Sequence, residues 1–348
     1  MAAEESTKAK AWAIFDRIVD DAAPNGEHTN PWIVDESGQP LYQPDLEALR
    51  RLLGVPLYLN AATTTGVPAL ALDVWLSYEL RRAGFEPDSV WPRPETPRVL
   101  PGPIVSLLEK VTKSERELLR KRLQAKTPPR GAAANSANIL GKNYLKQVDV
   151  VMSNWMTGPE LLISTKRMDS SFGKNAANRV EESYGDAKNL RLRHPLAALG
   201  FVYGLRSTIF DQEPEKAEWL IDLLQKLGRE DDAYHAVSLI IINYSDDLAV
   251  DSPDDDPGDG ENTLVEVGLE PEAETQPTED EVEADDVEQA MTGLPPVDLM
   301  QDKVPTVLQP GQFLELMVRR LIDSTPITMH RDARQRLRDA SDIARGQW

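Results

Sequence analysis

The residues best suited to chemistry lie in one stretch, 148–182. It reads V-D-V-V-M, breaks at Asn154 to Pro159, continues E-L-L-I-S-T-K-R, then enters a helix-like run holding Glu181 and Glu182. An acid on one extended segment, Asp149, an amine near the end of the next, Lys166, and a carboxylate shortly after are what a divalent cation and an attacking water need. Hydrolysing a phosphodiester requires a water made nucleophilic at neutral pH and a counter-charge for the developing anion, and one or two divalent cations can supply both. Magnesium takes oxygen ligands and keeps several waters, so two carboxylates and a backbone carbonyl suffice. A lysine beside it can orient or deprotonate the water and neutralise charge.

Side chains alternate along a strand. In E-L-L-I-S-T-K-R this sets Glu160, Leu162, Ser164 and Lys166 on one face and Leu161, Ile163 and Thr165 on the other. The break near Gly158-Pro159 predicts an antiparallel hairpin, across which Asp149 and Lys166 face each other. Glu160 is a rival for the second acid. Ser164 has no histidine or second lysine spaced to activate it as a nucleophile.

These residues resemble the PD-(D/E)xK nuclease superfamily, the fold of many type II restriction endonucleases. The resemblance covers roughly residues 104–206, where the reading in order is helix, strand, strand, helix, strand. It implies Asp149 as the metal-binding aspartate and Lys166 as the motif lysine. The acid that usually stands two positions before the lysine is Ser164 here, and residue 148 is valine where proline is common. A subgroup with S-x-K takes its second carboxylate from the next helix, some 13 residues on; Glu181 and Glu182 follow S-T-K after 14 and 15. The resemblance implies catalytic Asp149, Lys166, Ser164, Glu181 and Glu182, Mg²⁺ held among Asp149, Glu160, Glu181 and Glu182, double-stranded DNA as substrate, and a possible homodimer. Lys142, Lys146, Arg167, Lys174 and Arg120 are the expected DNA contacts. The alternative is a nucleic-acid-binding or complex-assembly protein with the same fold and no catalysis.

The elements around this stretch must position it. Residues 4–22 predict an amphipathic helix, with Trp12, Ile14, Phe15, Ile18 and Val19 at helical spacing. A short helix over 44–53 is expected to stop at Gly54, and another runs from Pro68 to Ala83. With Arg81 and Arg82 at its end, this pair could form a DNA-reading helix-turn-helix; the plainer reading is a helical subdomain packed on the main one. Six prolines between 86 and 103 mark an extended connector. One basic helix is expected over 104–126, then a small, polar stretch of little periodicity. Strands follow at 147–152, 160–167, 196–205 and 233–243, with helices at 174–189 and 215–227. An apolar helix over 312–323 and an Arg-rich helix (Arg331, Arg334, Arg336, Arg338, Arg345) close the chain. The expected architecture is α/β (α+β), a restriction-endonuclease-like central mixed sheet flanked by helices. Its regions are N-terminal helical 1–97, core 98–245, acidic disordered insert 246–296 and C-terminal helical 297–348.

Charge is unevenly spread over the 348 residues. The formal net charge is −20, but residues 251–288 hold 17 acids and no Lys or Arg, so the rest carries only −3. Residues 98–206 hold 19 basic and 9 acidic side chains. A polyanion feels this local sign, because charges are screened beyond about 8–10 Å. The acidic insert is expected as a solubilising linker or as a cover for the basic region. There is no cysteine, which excludes disulfides and thiolate metal sites. The four histidines are far apart in sequence, with no metal-ligand spacing; His194 could touch a phosphate. No signal core or membrane-length apolar run is seen, so a cytoplasmic protein is expected.

Overall fold

In the computed structural model the described residues are 2–125, 128–129, 131–170, 172–230, 232–249 and 284–344. The chain opens with helix α1 (Ala2–Ala22), a two-stranded ribbon β1 (Trp32–Val34) and β2 (Pro40–Tyr42), then α2 (Leu46–Tyr58) and α3 (Val67–Arg82). A short strand β3 (Val90–Trp91) leads to α4 (Gly102–Lys110) and α5 (Lys113–Leu123). Next come β4 (Ala137–Leu140), β5 (Leu145–Val148), β6 (Val150–Asn154), β7 (Gly158–Met168), α6 (Phe172–Arg191) and β8 (Ala198–Arg206). Helices α7 (Ile209–Gln212) and α8 (Pro214–Leu227), strand β9 (Ala236–Asn243), α9 (Ala284–Gly293), β10 (Asp298–Leu299), α10 (Pro310–Ser324) and α11 (Arg331–Ala344) complete it.

The fold is mixed α/β. A six-stranded sheet has the order β10-β9-β8-β7-β6-β3. Strands β7, β8 and β9 run parallel, while β6, β3 and β10 are antiparallel to their neighbours. Both faces are covered, so β8 is buried along its whole length and reads as a continuous apolar run. Leu161 and Ile163 join Val150, Met152 and the helices α1–α3, α10 and α11 in one core. Leu162, with Val151, faces the second core, built with α6, α8 and the β4–β5 hairpin.

Several expectations need correction. The N- and C-terminal helical regions share one core with the sheet, and 1–97 and 297–348 each donate a short edge strand. Gly54 does not stop α2; it lies inside the helix, where a Cβ would come 3.0 Å from Pro295 O. The long basic helix is two helices, because Thr112 caps a new start: its side chain takes the Glu115 N–H and Glu115 reaches back. The small, polar stretch supplies β4 and the turn into β5. Of the insert expected to be disordered, residues 250–283 lie outside the described residues, but its end forms α9, with Ala290 fully buried and Glu288 paired to Arg17.

The arginines expected at DNA are largely structural. Arg82 pairs with the fully buried Glu79, and Arg81 donates to the Val90 carbonyl at 3.1 Å, which removes the helix-turn-helix reading. Arg336 donates to the carbonyls of His28, Thr29 and Arg82, and Arg334 to those of Ile322 and Thr325, so α11 is tied to the body by its basic residues. Arg345 lies outside the described residues.

Gly84 marks where α11 docks. Its φ is +97°, and a Cβ there would lie 2.8 Å from the Ala333 nitrogen. Gly84→Ala should therefore destabilise the protein by about 2 kcal/mol or more, read as a lower denaturant midpoint with unchanged slope.

Candidate functional site

Strand β7 ends in S-T-K, and the site assembles around that end. Val150 pairs with Ile163, so Asp149, in the bend between β5 and β6, lies beside Ser164 and Thr165. The Thr165 N–H donates to Asp149 Oδ2 at 2.7 Å. The Thr165 hydroxyl points to the other face and donates to Asp73 Oδ1 at 2.5 Å. One threonine thus holds two carboxylates from different elements. Asp73 comes from α3, where it is 8% exposed among apolar neighbours.

The Asp149 charge reaches Asp73. Burial lifts the Asp73 carboxyl well above its ordinary range, and the Asp149 charge lifts it further. Burial also raises Asp149, against the pull of Lys166 and the Thr165 N–H. Burial lowers the Lys166 ammonium to about 8; the charges of Lys146 and Arg179 add to the fall, while Asp149 and Glu182 oppose it. Asp149 and Lys166 thus interact, at a site where water is scarce and charge is costly.

Helix α6 supplies one wall. Its residues 179, 182 and 186 recur at helical spacing along one edge. Arg179 donates to the Arg167 carbonyl at 2.9 Å, beyond Lys166 on β7. Asp186 accepts the Lys146 ammonium at 2.7 Å and the Tyr144 hydroxyl at 2.9 Å, which ties the β4–β5 hairpin to the helix. Glu182 is exposed and feels Lys166. Glu181, also exposed, is one residue earlier and so about 100° around the helix, turned from this edge.

Other expected site residues are placed differently. Glu160 is not brought to Asp149. The register passes from Met152↔Leu161 to Ser153↔Pro159, so Glu160 is the extra residue of a bulge. It takes the Thr157 hydroxyl and lies 3.1 Å from His330 Nε2, at the far end of β7. Ser164 is 6% exposed and hydrogen-bonds the Tyr234 hydroxyl, so it is held in the second core. Arg167 is 4% exposed, pairs with Asp169 and donates to the Pro68 carbonyl, which leaves it unable to face DNA. Lys146 is likewise buried, by its pair with Asp186. Lys142 and Arg120 are exposed. The Lys174 side chain lies outside the described residues. His194 contacts the Leu140 carbonyl at 2.9 Å and so closes the hairpin.

Asp73 and Thr165 were missed by sequence reasoning. The signal was there for Asp73: a lone acid inside V-P-A-L-A-L-D-V-W-L breaks an otherwise apolar helix. Nothing in the local pattern says which strand that acid meets.

Among the described residues no three His, Cys, Asp or Glu side chains converge closely enough to cage a cation by themselves. Magnesium does not need such a cage, since one or two carboxylates and water suffice. The donor set fits it: the Asp149 charge raises the proton affinity of Asp73, and a cation would relieve that repulsion. A cavity of about 140 Å³ between α5 and the proline-rich connector includes none of these residues. Among the described residues no helix is long and apolar enough to cross a membrane. No protein-family model, curated protein or solved structure matches the chain.

The Asp73 shift has a signed consequence. The folded state holds this proton above the ordinary carboxyl range, so stability falls as pH rises from about 4 through the raised value. Asp73→Asn keeps the Thr165 bond and removes the charge. It should raise the thermal midpoint at pH 8, by about 1–3 kcal/mol of stability, with the gain vanishing near pH 4.

Proposed function

We propose that the chain is a Mg²⁺-dependent DNA endonuclease of the PD-(D/E)xK type, acting in restriction or phage defence. The observation that carries this reading is that Thr165 bonds both Asp149 and Asp73, with Lys166 the next residue on β7 and under the Asp149 charge. The order of elements supports it as well: an antiparallel β6–β7 hairpin, a crossover helix α6 and a parallel strand β8. A restriction-endonuclease-like sheet has this arrangement by resemblance.

In this reading Asp149 and Asp73 would hold the cation, with Glu182 nearby; when bound, it would supply positive charge and lower the pKa of water. Lys166 Nζ takes the proton from the attacking water. With its ammonium near 8, roughly a tenth is neutral at pH 7, enough to accept a proton without being lost to permanent charge. Arg179, bonded to the strand end beside Lys166, faces the reacting phosphate and balances its charge. Thr165 positions both carboxylates.

Incubation of the purified chain with plasmid DNA tests this. Cleavage should need Mg²⁺ and stop with EDTA. Asp149→Ala, Asp73→Asn and Lys166→Met should each lower the rate by at least about 100-fold with DNA affinity retained. DNA binding without Mg²⁺-dependent cleavage in the unaltered chain would leave a non-catalytic binding module instead.

A pH series gives a second readout. Cleavage should rise with pH up to about 8, as Lys166 loses its proton. Mg²⁺ binding should displace the proton that burial favours on Asp73, and calorimetry in buffers of different ionisation enthalpy should detect that release.

A further inference from the structure

We infer that helix α5 is a backbone-gripping surface for duplex nucleic acid, reading phosphates and not bases; this rests on the reading of the chain as a DNA enzyme. The α4–α5 unit stands apart from the two large cores. It has its own small cluster of Leu100, Leu108, Leu123 and Ala133. It is tied to the body by the Val99↔Ala134 bridge and by Gln124, which donates to the Thr96 carbonyl at 3.1 Å. Just after Ala134 the chain enters the hairpin that carries Lys146, so the unit adjoins the wall of the candidate site.

The helix sequence is K-S-E-R-E-L-L-R-K-R-L. Two of its charges have structural work. Glu115 closes the cap at Thr112, and Arg116 donates to the carbonyls of Leu108 and Glu109, which joins α5 to α4. What remains is Lys113, Arg120, Lys121 and Arg122, all exposed, against one exposed acid, Glu117. None of the four forms an ion pair among the described residues. Glu117 stands four residues from both Lys113 and Lys121, so one acid serves four cations. Here Arg120, Lys121 and Arg122 are consecutive, and at a helix C-terminus the dipole favours them.

The occupant is fixed by charge and shape. Lys113 and Arg120, seven residues apart, share one edge, and Lys121 and Arg122 fan about 100° and 200° further round; exposed cations in this number suit the phosphates of a duplex. Contacts to phosphate carry no sequence information.

The test is fluorescence anisotropy with a short duplex in EDTA, over about 50 to 200 mM salt. The full chain is compared with Lys113→Gln/Arg120→Gln/Lys121→Gln/Arg122→Gln, glutamine keeping helix propensity. If the four contact phosphates, the variant's log–log salt slope falls by about 3 to 4 and its affinity drops at least tenfold at low salt, equally for unrelated sequences. The charge-conserving Arg120→Lys/Arg122→Lys variant should keep the wild-type slope, which separates lost charge from lost folding. An unchanged slope and affinity in the glutamine variant overturns the inference, including the case in which α5 serves an acidic protein. Cleavage is scored separately in Mg²⁺. A wild-type chain that binds with the full slope but never cuts sinks the catalytic reading and leaves this surface standing.

Discussion

The Asp149 charge set beside the buried Asp73 carboxyl constrains this molecule most. Asp73 and Asp149 come from a helix and from a strand junction 76 residues apart in sequence, and one threonine donates to both. Left to themselves, buried like charges drive a structure apart or take up protons. The helices packed on both faces of the sheet keep α3 and the β5–β6 bend in place against that repulsion. A site held so is costly for stability and suited to a cation.

The sheet is what makes the cost bearable. The parallel strands β7, β8 and β9 are buried on both faces, and the N- and C-terminal helices close over one of them as a single core. Lys166 then stands at the end of a strand that cannot shift without exposing Leu161, Leu162 and Ile163. The two large cores hold the candidate site, while α4 and α5 have their own small cluster.

Much of this was legible in the chain. The helices at 2–22, 67–82, 214–227 and 310–324 and the strands β7, β8 and β9 follow from apolar period and turn residues. The pairing of Asp149 with the S-T-K strand follows from the break at Gly158. What was misread shares a cause. Arg167 and Lys146 look like surface charge in a string of letters, yet Arg167 donates to the Pro68 carbonyl and Lys146 pairs with Asp186, both far away in sequence. Glu160 kept its place in the alternation until a bulge one residue long turned it toward His330.

Local sequence therefore determined the elements, the basic and acidic halves of the charge, and the candidacy of Asp149 and Lys166, because propensity, periodicity and charge count depend on near neighbours. Only the tertiary structure decided that Asp73 joins them, that the Glu182 charge reaches Lys166, and that most of the arginines serve the fold. Those choices depend on which helix crosses which strand end and on a register that one extra residue can reverse, and no window along the chain contains both partners.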